Sequence, residues 1–126
     1  MPKGVERLKK RADFLRVAGV RRKWATPGMV LQAAYDPSCV DAGRLRVGFT
    51  ATKKTGNAVA RNRIKRRLRA IADELLPLHA KPGWDYVLIG RKGTPLREHQ
   101  ALKKDLVIAL KKVGAYEEKR VTCVNS

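Results

Sequence analysis

The sequence is short of acidic residues, aromatics, cysteine and long apolar runs, and each shortage excludes something. Asp and Glu together number 11 against 29 Lys and Arg in 126 residues. The chain contains no HExxH, no zinc-type CxxC, no Walker A loop and no GxGxxG. No cluster of Asp and Glu stands ready to hold two magnesium ions for phosphodiester hydrolysis. His79, just beyond Pro77, and His99, between Glu98 and Gln100, read as surface residues rather than catalysts. Chemistry performed by this protein alone is therefore not expected, and neither is a metal site or a cofactor of its own. Unbroken apolar runs reach five residues at most, as at 106–110, whereas a membrane-spanning helix needs about 20. The basic start, with Lys3, Arg7, Lys9 and Lys10, has no apolar segment behind it, so no signal peptide is expected. The two cysteines, Cys39 and Cys123, have no metal-ligand spacing with either histidine; they read as reduced bystanders, which fits a cytoplasmic protein.

What the sequence has in excess is positive charge. The formal net charge is +18 at pH 7 and the sequence pI is about 10.7. Self-repulsion on that scale opposes compaction unless a polyanion gathers on the surface. A folded domain this basic points first to nucleic acid and next to an anionic membrane surface. Hydrophobic residues make up 44% of the chain, enough for a core, and the length suits one domain. We therefore read residues 1–126 as a single RNA-binding domain with its core at about 5–113.

Hydrophobic period and punctuation give the organisation. Residues 1–12 are basic and weakly patterned, which predicts a mobile arm. Asp13 offers an N-cap for a short helix carrying Phe14, Val17 and Ala18 on one side and ending near Gly19, and Arg21, Arg22 and Lys23 follow as a basic turn. Residues 29–35 read as a strand stopped by Asp36 and Pro37. In residues 44–52 Leu45, Val47, Phe49 and Ala51 face one way, and Arg44, Arg46, Gly48, Thr50 and Thr52 the other. Asn57, after Thr55 and Gly56, caps a long helix that Pro77 should stop. Residues 86–89 are continuously apolar, as in a strand covered on both faces. Thr94 and Pro95 should open a last helix with Leu96, Leu102, Leu106, Leu110 and Val113 as its stripe. The final dozen residues are polar and expected to fray. Alternating strands and helices predict a mixed α/β sandwich, helices packed on a sheet.

The helix from residue 58 to 76 is the informative element. Ala60, Ile64, Leu68, Ile71 and Leu75 fall in one sector and must be buried. Arg61, Arg63, Lys65, Arg66, Arg67 and Arg69 fill the remaining arc, and no carboxylate lies between Asp41 and Asp73 to neutralise them. The charges also oppose the helix dipole, which favours anions at the N-terminus and cations at the C-terminus by roughly 0.3 to 1 kcal/mol each. A solvated charged face is the plain alternative. A phosphate at the helix start would turn this cost into a gain, because backbone N–H groups, dipole and guanidinium forks would converge on one anion. Lys53, Lys54, Arg46, Thr50 and Thr52 lead into the same place. Phe14 and Val17 could supply an apolar wall for a single strand, although an aromatic on a short helix is also a common core residue.

These residues resemble a known family. Residues 46–69, RVGFTATKKTGNAVARNRIKRRLR, closely resemble the signature of the bacterial ribonuclease P protein subunit. RADFLRV at 11–17 is similar to that family's first helix, and DYVLIGRKGT at 85–94 to its last strand and turn. The resemblance implies an α+β fold like the second domain of ribosomal protein S5, with a left-handed crossover through the basic helix. It implies a cofactor protein for a catalytic RNA, which holds the magnesium ions and removes the 5′ leader from precursor tRNA. By the same resemblance Arg61, Asn62 and Arg63 match a motif facing RNA, Lys53, Lys54 and Arg46 border a central cleft, and Phe14 contacts the leader. The family commonly has a second aromatic where Ala18 stands and a tyrosine near Gln32, which implies a cleft poorer in aromatic surface. A structural RNA binder of the same fold is the competing reading, and a DNA-compacting protein a weaker one.

Overall fold

The computed structural model describes residues 5–35, 45–81 and 83–116. Five strands form one mixed sheet in the order β1-β4-β5-β3-β2. They are β1 (Val5–Arg7), β2 (Lys23–Ala25), β3 (Met29–Tyr35), β4 (Leu45–Ala51) and β5 (Trp84–Gly90). Three α-helices cover it: α1 (Arg11–Val20), α2 (Ala58–His79) and α3 (His99–Val113). β1 runs parallel to β4 and β4 parallel to β5, while β3 is antiparallel to both β5 and β2. The parallel neighbours β4 and β5 are joined through α2, as parallel pairing requires a crossover.

Alternation sorts the side chains of β4. Leu45, Val47, Phe49 and Ala51 enter the main core beneath α2 and α3, with Ile64, Leu68, Ile71, Leu102, Leu106 and Tyr86. Arg46, Gly48 and Thr50 face α1, where Leu8, Val17, Ala34 and Val87 form a smaller cluster. β5 supplies both, Tyr86 and Leu88 to one side and Val87 to the other, so its unbroken apolar run has the expected two-sided burial. The expected stripe of α2 is buried from Ile64 to Leu75, with Ala60 only partly covered at the helix start. Gly90 lets α2 come close: a Cβ there would overlap Ile64 Cγ2.

Several boundaries differ from expectation. The basic arm is not wholly detached: β1 pairs with β4, and Leu8 is buried. Three residues are too few to show a period, and their partner strand is remote in sequence. The basic turn after α1 leads directly into β2. Asp13 lies in the first turn of α1, whose N-cap is Lys10, and the helix runs on to Val20. Pro77 lies inside α2, which continues to His79. So near the end it removes only its own N–H, and the ladder resumes with Ala80 N–H donating to the Leu76 carbonyl (3.0 Å). Thr94 and Pro95 form a separate 3-10 turn, and α3 begins only at His99. The Thr94 hydroxyl points inward to the Gly28 carbonyl (2.7 Å) instead of capping a helix, and Leu96 is 90% exposed. At the far end Ala115 is buried and Tyr116 bridges to Ala80, so the fraying expected there does not begin at α3. Arg44, the Asp36–Pro37 stop, both cysteines and the rest of the C-terminal segment lie outside the described residues.

Candidate nucleic-acid interface

The start of α2 is built from the end of β4. The chain leaves Ala51, makes one 3-10 turn at Lys53–Thr55 and reverses at Gly56, whose φ of 136° is open only to glycine at little cost. Asn57 then caps the helix as expected: its side-chain oxygen accepts from Ala60 N–H at 2.9 Å. This places Lys53 and Lys54, both exposed, beside the helix start.

Burial of the Ile64–Leu68–Ile71 stripe turns the cations outward into two hollows. Ala58, Arg61, Asn62 and Lys65 line one of about 200 Å³. Arg63, Arg66, Arg67, Ala70 and His99 line another of about 420 Å³. Among the described residues, no carboxylate comes within ion-pair distance of Arg61, Arg63, Lys65 or Arg66. Arg61 Nε is shielded yet has no acceptor among the described residues. The other two arginines of the set are held differently. Arg67 donates to the carbonyls of Thr94 (2.7 Å) and Pro95 (3.0 Å), fastening the 3-10 turn to α2. Arg69 lies 6.0 Å from the Phe49 ring centre, and Arg7 lies 5.0 Å from the same ring. Burial, and then the neighbouring Arg69 charge, lower the pKa of Arg7, while Asp73 works against them.

A third hollow, of about 330 Å³, lies between the chain leading into α1 and the sheet; Lys9, Arg11, Phe14, Phe49 and Thr50 line it. Phe14 rests on Gly48, where a Cβ would stand 2.5 Å from its Cζ. The ring is half-buried against the Val17 cluster and still borders the hollow, so it serves both packing and surface. Of the residues expected to form this cleft, Phe14 and Thr50 are brought together. Val17 is not: it is fully buried beneath α1 and can touch no ligand. Thr52 is exposed but is not among the residues lining the hollow. Ala18 is exposed, and Gln32 is partly covered on β3.

Arg46, expected to border the cleft, is paired within the fold. Its Nε donates to Asp85 Oδ1 at 2.8 Å and its Nη2 to Oδ2 at 2.7 Å, and Asp13 stands 3.6 Å from Nη1. Arg16 of α1 pairs with the same Asp85, which is fully buried. Arg46 is thus engaged as the counterion that lets β5 carry a buried carboxylate, and it fastens α1 to the sheet. Sequence reasoning missed Asp85 because it lies across the sheet in register with Arg46 but far away along the chain. It also missed Lys9, Arg11 and His99 as lining residues; the first two lay in a segment without pattern. Among the described residues, no group of three or more His, Cys, Asp or Glu could hold a metal ion, and no helix is long and apolar enough to cross a membrane.

Comparison with known proteins bears on the family and the fold. The sequence model of the family Ribonuclease P matches residues 1–114. The ribonuclease P protein component of Paramagnetospirillum magneticum is 56% identical over 115 residues, covering 90% of this chain and 86% of that protein. That of Ruegeria pomeroyi is 50% identical over 113 residues, with 89% of each covered. Among solved structures, the Staphylococcus aureus RNase P protein superposes with a TM-score of 0.72 at 27% identity, over 88% of this chain and 97% of that one. The RNase P protein from Thermotoga maritima gives 0.67 at 25%, over 82% and 93%.

Proposed function

The chain belongs to the ribonuclease P protein family, and on that premise we propose that it is the protein subunit of a ribonucleoprotein that removes the 5′ leader of precursor tRNA. The observation that carries this reading is the N-terminal half of α2, where Arg61, Arg63, Lys65 and Arg66 face outward without a carboxylate among the described residues. Those cations, with Asn62, Lys53 and Lys54, bind phosphates of the partner RNA, and the helix dipole adds to the attraction. The hollow beside Phe14 and Thr50 takes the single-stranded leader, stacking one base on the exposed part of the ring while Lys9 and Arg11 meet its phosphates.

Bond cleavage in this reading belongs to the RNA subunit and its magnesium ions. Among the described residues, three carboxylates are occupied by cations of the protein's own: Asp85 by Arg46 and Arg16, Asp105 by Arg97, Glu74 by Lys103. The protein contributes by lowering the electrostatic cost of bringing two RNAs together. Reconstitution tests this. The chain should restore precursor-tRNA cleavage by a bacterial ribonuclease P RNA at low magnesium, and should leave precursor tRNA intact when incubated alone. Specific 5′ cleavage without any RNA subunit, or no stimulation with it, would contradict the assignment.

A further inference from the structure

Among the described residues the exposed aromatic side chains are Trp24, 42% exposed, and Tyr35, 55% exposed. Both lie on the flank of the sheet away from the cationic start of α2. Across the sheet face that bears the main core, α2 covers β4 and β5 while α3 covers β3 and β2. Trp24, on the edge strand β2, is in register with buried Leu31 and so points to the α3 side. There the Lys112 amine of α3 stands 5.3 Å from its ring centre. Arg22, two residues earlier and so on the same side, donates to the Val113 carbonyl at 2.8 Å and places its guanidinium 5.6 Å from the Trp84 ring centre. Trp84 in turn meets Tyr35 edge to face at 5.8 Å. The result is a run of three rings near the C-terminal end of α3, with Lys112 against Trp24 and Arg22 against Trp84.

We propose that this flank is a second RNA-binding surface, which takes unpaired bases on its rings and phosphates on Arg22 and Lys112. The inference goes beyond the role assigned to α2 and does not depend on it. Its two features call for one partner: rings open to solvent suit a ligand with flat apolar faces, and the cations against them suit a polyanion. Single-stranded RNA has both at the spacing of every nucleotide. Among the described residues neither Arg22 nor Lys112 pairs with a carboxylate, so neither charge is neutralised there. A second copy of the chain would bring another +18 to the same place, which opposes self-docking.

The chain has two tryptophans, so emission reports on the site directly. In a Trp84→Phe variant of the full chain Trp24 is the sole indole, and titration with a short single-stranded oligouridylate should quench it. The midpoint should match that from anisotropy of end-labelled RNA. Adding Arg61→Ala and Arg63→Ala should leave the quench at saturation in place, which separates this surface from the α2 face. Trp24→Ala should weaken oligouridylate binding about tenfold, within the range for one lost base stack, with the melting temperature unchanged. If Trp84→Phe disturbs folding, the difference between wild-type and Trp24→Phe emission gives the same readout. Absence of binding, binding without change in Trp24 emission, or a quench that follows protein concentration without RNA would each overturn the proposal, the last in favour of contact between copies.

Discussion

Arg46 and Arg61 belong to one basic stretch of sequence, yet the fold gives them opposite surroundings. Arg46 meets a fully buried carboxylate through two hydrogen bonds, with a second arginine on the same Asp85 and Asp13 nearby. Arg61 lies a short way into α2 beside Arg63, Lys65 and Arg66, and its Nε has no acceptor among the described residues. The first region neutralises itself and holds α1 to the sheet; the second carries its charge to the surface. Whether an arginine serves the fold or a ligand is decided by where the carboxylates are. Among the described residues, the carboxylates paired with these and other cations lie in α1, in β5, in the second half of α2 and in α3, away from the first turns of α2.

The contrast can be broken from the self-neutralised side first. Asp85→Ala removes the shared acceptor of Arg46 and Arg16 and should destabilise the protein by about 3 kcal/mol, the scale for losing one partner of a buried pair. Denaturant melts would show it, and RNA binding per folded molecule should be little changed. A smaller loss is expected for Phe14→Ala, because the ring is only half-buried. About 2 kcal/mol of stability should go, below the usual 3–5 for a core Phe. In the holoenzyme the same change should narrow the ratio of precursor to mature tRNA affinity by about 1 kcal/mol, the low end for one stack. A full core-sized loss of stability with the ratio unmoved would return Phe14 to packing alone.

The smallest effect should come from Glu74, an exposed carboxylate paired with Lys103 and 3.4 Å from His99. The hydrogen bond from Lys103 holds its pKa below the ordinary value of 4.5, against desolvation and with help from His99. A lowered folded-state pKa stabilises above the unfolded value, and the contribution is lost as pH falls through the lowered one. Glu74→Gln should therefore shift the melting temperature slightly at neutral pH, and the difference from wild type should close in acid. A large shift at neutral pH would mean that exposed pairs matter here as much as the buried one.

The parts of this design that were legible in the sequence are those governed by local period. β3 has the expected bounds, β4 has the expected two faces, and Asn57 caps α2. The outward arc of cations on α2 follows from its buried stripe in the same way. The misreadings concern relations between distant residues. β1 exists because β4 offers it an edge, and three residues alone carry no such signal. Strand alternation shows which face Arg46 takes, but not that Asp85 of a strand remote in sequence stands beside it there. Val17 shares a helix side with Phe14, yet one lies fully beneath α1 and the other at its margin, a difference of depth that helical period does not express. His99 and the Trp24 flank come into view only when α3 is packed against its neighbours.

The central claim is that the start of α2 is a phosphate-binding face and not merely a solvated one. The most direct test is the salt dependence of RNA-subunit binding for wild type and for Arg61→Ala/Arg63→Ala. Neither arginine belongs to the buried stripe, so the melting temperature of the free protein should hold or rise slightly as cation repulsion is relieved. Each lost phosphate contact should flatten the slope of log K against log salt by about 0.7 to 0.9, and affinity at low salt should drop. A double variant with unchanged slope, affinity and holoenzyme activity would contradict the account and leave these arginines as solvated surface charge.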